Sequence, residues 1–262
     1  MATATATNVV ELRDRPSLKG RVSPEEWQAR VDLAACYRLA DLYGWADAIY
    51  NHVSLRVPGE PHFFLIKAHE LLYEEVTASN LVKCDIRNDN VDERLHVNRP
   101  GFTLHGGILR ARPEINAVNH THIEACITVA NQKDGLLPIS QSALQFMGDI
   151  GYHAFEGITE NLGERERIAD VMDGKRHLLM RNHGAVTTGK SARDAFMAMR
   201  ELETACKLQL AQQAAGVPHA MVGPDIVASY IEQRKNHDSG RASADWPAWQ
   251  RRLDRIDPTW RT

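Results

Sequence analysis

The chain has 262 residues, of which 43% are hydrophobic and 25% charged, and its formal net charge is −3. This length can bury the core of one α/β domain of about 200 residues or more, and the composition is ordinary for a globular protein. The small negative charge argues against nucleic acid or an anionic membrane as partner, and no apolar run approaches the roughly 20 residues that span a bilayer.

The start of the chain and its cysteines bear on location. Residues 1–22 are polar and lack the apolar stretch of a signal peptide, so we expect a flexible N-terminal arm. The four cysteines are scattered with no close pair, which favours reduced thiols in the cytoplasm over disulfides or a cysteine zinc site.

The first predicted element is a helix. Ser23 is its N-cap, Glu26 completes a capping box, and the helix is expected to end near Gly44. A β-hairpin follows, formed by strands over 52–57 and 62–66 around a turn rich in proline and glycine. The hairpin predicts pairing that is at least partly antiparallel.

Helices and strands then alternate along the chain. In order, we expect a short helix near Thr77 or Ser79, a strand near Val82, a helix over 102–111, a strand over 114–122, a helix over 121–131, strands over 136–139 and 150–155, a helix over 164–172, a strand over 177–180 and a helix over 191–215. This mixture indicates a layered α/β fold with a mixed sheet, built from one domain over residues 23–235.

The last segment, residues 236–262, begins with a polar, turn-rich stretch and continues as a short amphipathic helix. Its apolar positions recur at three- and four-residue spacing: Trp246, Trp249, Leu253 and Ile256. Such a helix must dock, and the sequence leaves open whether it docks on its own domain or on a neighbouring subunit.

Three histidines give the clearest functional signal. His120 and His122 are two residues apart in a predicted strand, so their rings point to one face. His183 follows a later strand, and Gly184 after it permits close backbone approach. Three imidazoles with an open coordination position are typical of a catalytic metal site. His105, on the preceding helix, is either a core histidine or a further group of this site.

Several motifs occur in the order of a known family. They are Ile49-Tyr-Asn-His-Val-Ser-Leu-Arg56, Leu72-Tyr-Glu-Glu-Val-Thr-Ala-Ser79, Gly101-Phe-Thr-Leu-His105, Val118-Asn-His-Thr-His122 and Arg181-Asn-His-Gly184. Over residues 25–215 the sequence therefore resembles the class II aldolase/adducin family, most closely its adducin-head-like branch. The resemblance implies a three-layer α/β/α sandwich with a mixed, largely antiparallel sheet, and homotetramers with the active site between subunits.

The resemblance also implies a divalent cation, with zinc first and manganese or iron as alternatives. Three histidines hold it in the family's aldolases, at positions that match His120, His122 and His183. The aldolases' catalytic glutamate, however, matches Gly101, which has no side chain to move a proton. The sequence offers His105, Glu124 and Tyr152 as replacements and does not select among them.

Phosphate binding is the second departure from the aldolase pattern. Where the aldolases hold phosphate, Glu70 would repel it and Pro100 has no amide hydrogen to donate. Asn51 is retained as a substrate-binding candidate, and we expect a substrate that is not a sugar phosphate. The cations that could pair with a substrate carboxylate are Arg56, Lys67 and Arg99.

These observations favour a metal-dependent lyase of aldolase or decarboxylase type. It would cleave a carbon–carbon bond through a metal-stabilised enolate of a small, non-phosphorylated hydroxy or oxo acid or carbonyl compound. Two alternatives stay open: a catalytically silent, adducin-like oligomeric scaffold, and a non-haem iron oxygenase that uses the same three histidines.

Overall fold

A seven-stranded mixed sheet organises the fold. The structure, a computed structural model, describes residues 13, 15–88, 96–157, 162–237 and 244–262. The strands are β1 (His52–Val57), β2 (Glu60–Ile66), β3 (Val82–Asp85), β4 (Ala117–Thr121), β5 (Ile150–His153), β6 (His177–Met180) and β7 (Gly184–Gly189). Their order is β3-β2-β1-β4-β7-β6-β5, and every neighbouring pair is antiparallel except the parallel pair β5 and β6.

Helices cover both faces of this sheet. They are α1 (Pro24–Leu42), α2 (Arg99–Ala111), α3 (Glu124–Ala130), α4 (Gln141–Leu144), α5 (Leu162–Val171), α6 (Ala192–Ala214), α7 (Pro224–His237) and α8 (Asp245–Ile256), with 3₁₀ turns at Tyr73–Glu75 and Pro258–Arg261. The predicted N-cap of α1 is present, because Ser23 Oγ accepts a hydrogen bond of 3.1 Å from the amide of Glu26.

Alternation along the strands creates two separate cores. In β4, Ala117 packs into the core under α1, α3 and α6, while Val118 packs into the core under α2 and α5. In β7, Ala185 and Val186 divide in the same way. The period of two therefore gives a helix–sheet–helix sandwich, which confirms the predicted three-layer fold with a mixed, largely antiparallel sheet.

Some predicted elements differ from the structure. The segment 136–139 is not a strand, because the amides of Leu136 and Leu137 donate to side chains, the phenol of Tyr152 and the amide oxygen of Gln209. The short helix predicted near Thr77 or Ser79 is a turn instead, preceded by the 3₁₀ turn Tyr73–Glu75.

Two helices and one strand were not predicted, and several boundaries shift. Helix α4, strand β7 and helix α7 have no counterpart in the sequence interpretation. Strand β4 ends at Thr121, so His122 lies one residue beyond it, and the hairpin turn is only the pair Pro58 and Gly59. The expected turn-rich stretch is helical up to His237, and its remainder lies outside the described residues.

The C-terminal helix α8 packs on its own chain, against α1. Trp246 Nε1 donates to Asp32 Oδ1 on α1 at 2.8 Å, and Leu253 and Trp260 are buried in the core on that side. Positions 1–12 and 14 of the expected N-terminal arm lie outside the described residues. In the part of the chain that the structure describes, no helix is long and apolar enough to cross a membrane.

Candidate metal centre

Three histidine rings converge at the C-terminal end of the central strand β4. Each of His120, His122 and His183 offers one ring nitrogen, and these three atoms all lie within 4.8 Å of one another. The ring centroids are 5.0 Å apart for His120 and His122, 4.9 Å for His120 and His183, and 5.1 Å for His122 and His183. One cation can therefore contact all three rings.

The backbone of β4 and of the β6–β7 turn sets this convergence. His120 pairs with Val186 of β7, which brings the end of β4 beside the turn that carries His183. In that turn Asn182 has a left-handed φ of 57°. A side chain at Gly184 would collide with the carbonyl oxygen of Thr121, so glycine is needed where the turn approaches β4.

Hydrogen bonds on the far side of two rings fix their orientation. His120 Nδ1 lies 3.1 Å from the carbonyl oxygen of Ala185, and His122 Nδ1 lies 2.9 Å from Asp47 Oδ2. Both oxygens accept, so Nδ1 carries the hydrogen in each ring and Nε2 keeps its lone pair for a cation. Asp47 belongs to the site, although no sequence motif indicated it.

The environment also keeps the rings uncharged. Burial, together with His122 and His153, lowers the pKa of His183 to about 4. Burial and the neighbouring His183 hold the pKa of His120 well below its ordinary value. A cation needs neutral imidazoles as ligands, so the structure prepares these two rings for coordination at neutral pH.

A second group of buried polar side chains lies behind His120. The ring of His52 stacks on that of His120, with centroids 5.4 Å apart and an interplanar angle of 25°. His52 Nδ1 is 3.1 Å from His105 Nε2, and His105 Nδ1 is 2.6 Å from Ser54 Oγ. His105 is thus brought near the site through His52, and it bonds to His52 and Ser54.

Burial keeps this second group uncharged as well. It lowers the pKa of His105 to about 3 and, with a contribution from His105, the pKa of His52 far below its ordinary value. The sequence did not single out His52. It faces His120 only because β1 pairs with β4 in the register that sets the two residues opposite each other, and no local sequence signal showed this.

A cleft of about 760 Å³ opens beside His122. Glu124, the exposed first residue of α3, and Asp47 line it. Asn51 lines it too, from a backbone with a left-handed φ of 63°, and its Nδ2 donates to the carbonyl of Trp45 at 3.2 Å. Asn51 Oδ1 is buried without a partner among the described atoms, so it can accept a hydrogen bond from a ligand.

Tyr152, the third predicted acid–base candidate, is not brought to the three histidines. Its phenol oxygen accepts a 2.8 Å hydrogen bond from the amide of Leu136, and its ring lies 5.3 Å from the guanidinium of Arg181. This tyrosine supports the loop after α3, and no described contact joins it to His120, His122 or His183.

The cations expected near the pocket differ in availability. Arg56 donates to the carbonyls of Leu109 and Ile115. Lys67 is buried and donates to four carbonyls, those of Ile49, Ala68, His69 and Leu71. These bonds occupy the donors of both side chains, which disfavours either as the partner of a substrate carboxylate. Arg99 is exposed in the first turn of α2 and stays available.

The turn after β2 carries Glu70, which is expected from the sequence to repel phosphate. Glu70 Oε1 lies 2.9 Å from His96 Nδ1, while Glu70 Oε2 is buried without a partner among the described atoms. The carbonyls of this turn point at Lys67, whose pKa burial lowers to about 8. A second anion would meet a carboxylate here rather than an anion-binding nest.

The donor set fits a divalent transition-metal ion. Three imidazole nitrogens suit zinc, iron or manganese, and hard oxygen-seeking cations prefer carboxylates and carbonyls. The carbonyl of Ala185 and the carboxylate of Asp47 supply the outer hydrogen bonds that commonly orient histidine ligands. Three protein ligands leave coordination positions of a cation open.

Comparison with known proteins gives consistent matches. Residues 31–210 match the family model described as Class II Aldolase and Adducin N-terminal domain. A Caulobacter vibrioides protein with a provisional class 2 aldolase name is 41% identical, over 92% of this chain and 95% of its own length. Mouse alpha-adducin is 40% identical, over 95% of this chain and 34% of its own length.

Solved structures agree with these matches. An aldolase II superfamily protein from Pseudomonas syringae superposes with a TM-score of 0.85 at 42% identity, covering 94% of this chain and all of that one. The L-fuculose 1-phosphate aldolase of Glaciozyma antarctica has a TM-score of 0.76 at 22% identity, over 97% of this chain and 99% of that one, which shows a shared fold.

Proposed function

The chain belongs to the class II aldolase and adducin N-terminal domain family, and on that premise we propose that it is a divalent-metal-dependent carbon–carbon lyase. Its substrate would be a small, non-phosphorylated hydroxy or oxo acid or carbonyl compound. The observation that carries the proposal is the convergence of His120, His122 and His183, with the second nitrogens of His120 and His122 bonded outward.

These three histidines would hold the cation, with zinc the first candidate and manganese or iron the alternatives. When bound, the cation supplies Lewis-acid stabilisation of the negative charge that develops on a carbonyl oxygen as the bond breaks. Asp47 would keep the ring of His122 in place, and Asn51 Oδ1 would accept a hydrogen bond from a substrate hydroxyl.

Three residues are candidates for the group that transfers a proton. Of the predicted candidates, Glu124 lines the cleft beside His122, Tyr152 is engaged with Leu136, and His105 is fully buried. We therefore favour Glu124 where a proton must move. Decarboxylation would not need it for the bond-breaking step, because carbon dioxide leaves without proton abstraction.

The charges near the cleft support the non-phosphorylated substrate. Glu70 stands in the turn after β2, and the ammonium group of Lys67 is used by carbonyls. Calorimetric titration of metal-loaded protein with a ketose or aldose and its phosphate ester tests this. We expect the unphosphorylated compound to bind at least as tightly, and tighter binding of the phosphate ester would contradict it.

We further propose a homo-oligomer, in line with the tetramers that the family resemblance implies, and a cytoplasmic location. Two exposed apolar side chains support subunit contacts near the site: Phe155, 55% exposed with its ring 6.4 Å from that of His183, and Tyr50, 50% exposed. The four cysteines are buried free thiols, as suits a reducing compartment. Sedimentation analysis of the purified chain tests the assembly.

An oligomeric scaffold without catalysis is the second candidate, favoured by Gly101 and by the match to alpha-adducin. Metal analysis of purified protein separates the two. The lyase predicts one bound transition-metal ion per chain, lost in a His120→Ala, His122→Ala double variant. A screen of hydroxy and oxo acids, read as carbon dioxide or aldehyde release, then identifies the reaction. Oxygen uptake with bound iron would instead favour an oxygenase.

A further inference from the structure

We propose that His52 is a substrate-contacting hydrogen-bond donor of this site, and that Ser54 and His105 are positioning residues that fix which nitrogen of His52 carries the hydrogen. The inference rests on the proposed metal-dependent function. It concerns uncharged rings throughout, and no group changes its charge.

The position of His52 supports a direct role. Its ring lies against that of His120, at the end of β4 where the three histidines converge. Nδ1 is used by His105, whereas Nε2 has no hydrogen-bond partner among the described residues. The His52 residue as a whole is 6% exposed.

Gly101 leaves the space that this ring occupies. A methyl group added at Gly101 would lie 2.7 Å from His52 Cδ2 and 2.8 Å from His52 Nε2, closer than side-chain atoms can approach. The absence of a side chain at position 101 is therefore coupled to the imidazole at position 52. The departure from the aldolase pattern at Gly101 has a structural counterpart in His52.

The need to pair every buried hydrogen determines which atom donates in each hydrogen bond from Ser54 through His105 to His52. Among the described residues, the hydroxyl of Ser54 has one partner, His105 Nδ1 at 2.6 Å. If Ser54 only accepted, its own hydrogen would be buried without an acceptor, which costs more than leaving lone pairs unused. Ser54 therefore donates to His105 Nδ1. His105 must then carry its hydrogen on Nε2 and donate to His52 Nδ1, which leaves the hydrogen of His52 on Nε2.

The resulting donor selects a class of ligand. An uncharged N–H group at this place attracts a carboxylate or a carbonyl oxygen that gains negative charge, whereas a carboxylate side chain would repel both. The site would thereby suit an oxo or hydroxy acid, with His52 donating to one of its oxygens. This narrows the proposed substrate class to anionic acids.

Nitrogen-15 NMR of histidine-labelled protein shows which ring nitrogens of His52 and His105 carry hydrogen, and it needs no catalytic turnover. In zinc-loaded and in metal-free protein, we expect His52 and His105 both to show a protonated Nε2 and an unprotonated Nδ1. Ser54→Ala should mix the two tautomers of His105, and Ser54→Thr, which keeps the hydroxyl, should preserve the wild-type pattern. A hydrogen on His52 Nδ1 in the wild type would overturn the inference, whether or not the protein is a lyase.

Oxalate, a planar dicarboxylate, probes the donor in calorimetric titrations of zinc-loaded protein. We expect His52→Leu to weaken oxalate binding by about 10- to 100-fold, the range for a hydrogen bond to a charged group. His52→Gln, whose amide nitrogen replaces Nε2, should recover most of the affinity. Zinc content measured on each variant separates loss of the donor from loss of the cation. Equal oxalate affinity for wild type and His52→Leu, at equal zinc content, would contradict the proposal that His52 donates to the ligand.

Discussion

The second nitrogen of an imidazole controls how well the first one binds a cation. Asp47 Oδ2 accepts from His122 Nδ1 at 2.9 Å, so the carboxylate holds the ring and strengthens Nε2 as a donor. We expect Asp47→Asn to weaken zinc affinity by about 10- to 100-fold, measured by competition with a chromogenic chelator. Asp134→Asn, at an exposed loop residue, is the matched control and should leave the affinity unchanged. Equal affinities for the two variants would remove Asp47 from the site.

His177 provides a separate test of buried histidine electrostatics, on β6 and outside the group of three. Its Nδ1 accepts from the amide of Thr188 at 3.3 Å, and burial lowers its pKa to about 3. The unfolded chain takes up a proton near pH 6.5 whereas the folded chain does not. Stability is therefore intact above pH 6.5 and falls as the pH drops towards 3, by about 1.4 kcal/mol per pH unit from this residue.

Urea unfolding between pH 7 and pH 4.5 measures that effect. The variant His177→Asn keeps an acceptor for Thr188 but cannot take up a proton, so its stability should depend less steeply on pH than that of the wild type. Both proteins should show the same slope above pH 7. Parallel curves down to pH 4.5 would contradict the neutral, buried state of His177.

Residues that are close in the chain were predictable, and residues that meet only through the fold were not. The spacing of His120 and His122 places both rings on one face, because alternation in a strand is local. Asp47 is 75 residues away from the ring that it holds. His52 faces His120 because β1 and β4 pair in one register. The register between β1 and β4 is set by the whole sheet, and no local sequence pattern predicted it.

At the scale of the elements, the capped helices α1 and α6 were predicted close to their observed bounds, whereas α4 and α7 were missed. The missed strand β7 is fully buried along almost its whole length, so it lacks the alternation of polar and apolar residues that marks a half-exposed strand. The segment 136–139 has a strand-like composition, but Tyr152 and Gln209 take the amides that a sheet would need. Burial therefore hid β7, and tertiary hydrogen bonds prevent a strand at 136–139.

The C-terminal helix α8 gives an element-scale prediction. Leu253 is 3% exposed in the core beside α1, whereas Ile256 on the same helix is 57% exposed. We expect Leu253→Ala to lower the free energy of unfolding by about 2–4 kcal/mol, through lost burial and the cavity left behind. Ile256→Ala should cost under about 1 kcal/mol. Urea denaturation of both variants checks this, and equal losses would mean that α8 does not pack as the structure has it.

At the scale of the whole molecule, the site is a product of the sheet topology. The end of β4 carries His120 and His122, and the β6–β7 turn carries His183; these parts lie side by side only because β7 pairs with β4. The family motifs allowed the sandwich and the three histidines to be predicted together. The cleft between β4, α3 and the loop before β1 required the folded chain.

This dependence couples cation binding to folding. An ion that binds the assembled site but not the unfolded chain stabilises the fold by about 2.7 kcal/mol at a free concentration one hundred times its Kd. For a domain of this size, we expect zinc to raise the unfolding temperature by about 5–10 °C. Differential scanning calorimetry of chelator-treated protein, before and after adding zinc, measures the shift.

Two controls test whether the zinc-induced stabilisation comes from binding at the three histidines. Magnesium prefers oxygen ligands and should leave the unfolding temperature unchanged. In His183→Ala, His120 on β4 and His122 just after it remain, but the ligand from the β6–β7 turn is lost, so the zinc shift should largely disappear. An undiminished shift in that variant would mean that zinc binds elsewhere. The proposed function would then lose its physical basis, because the three histidines would hold no cation.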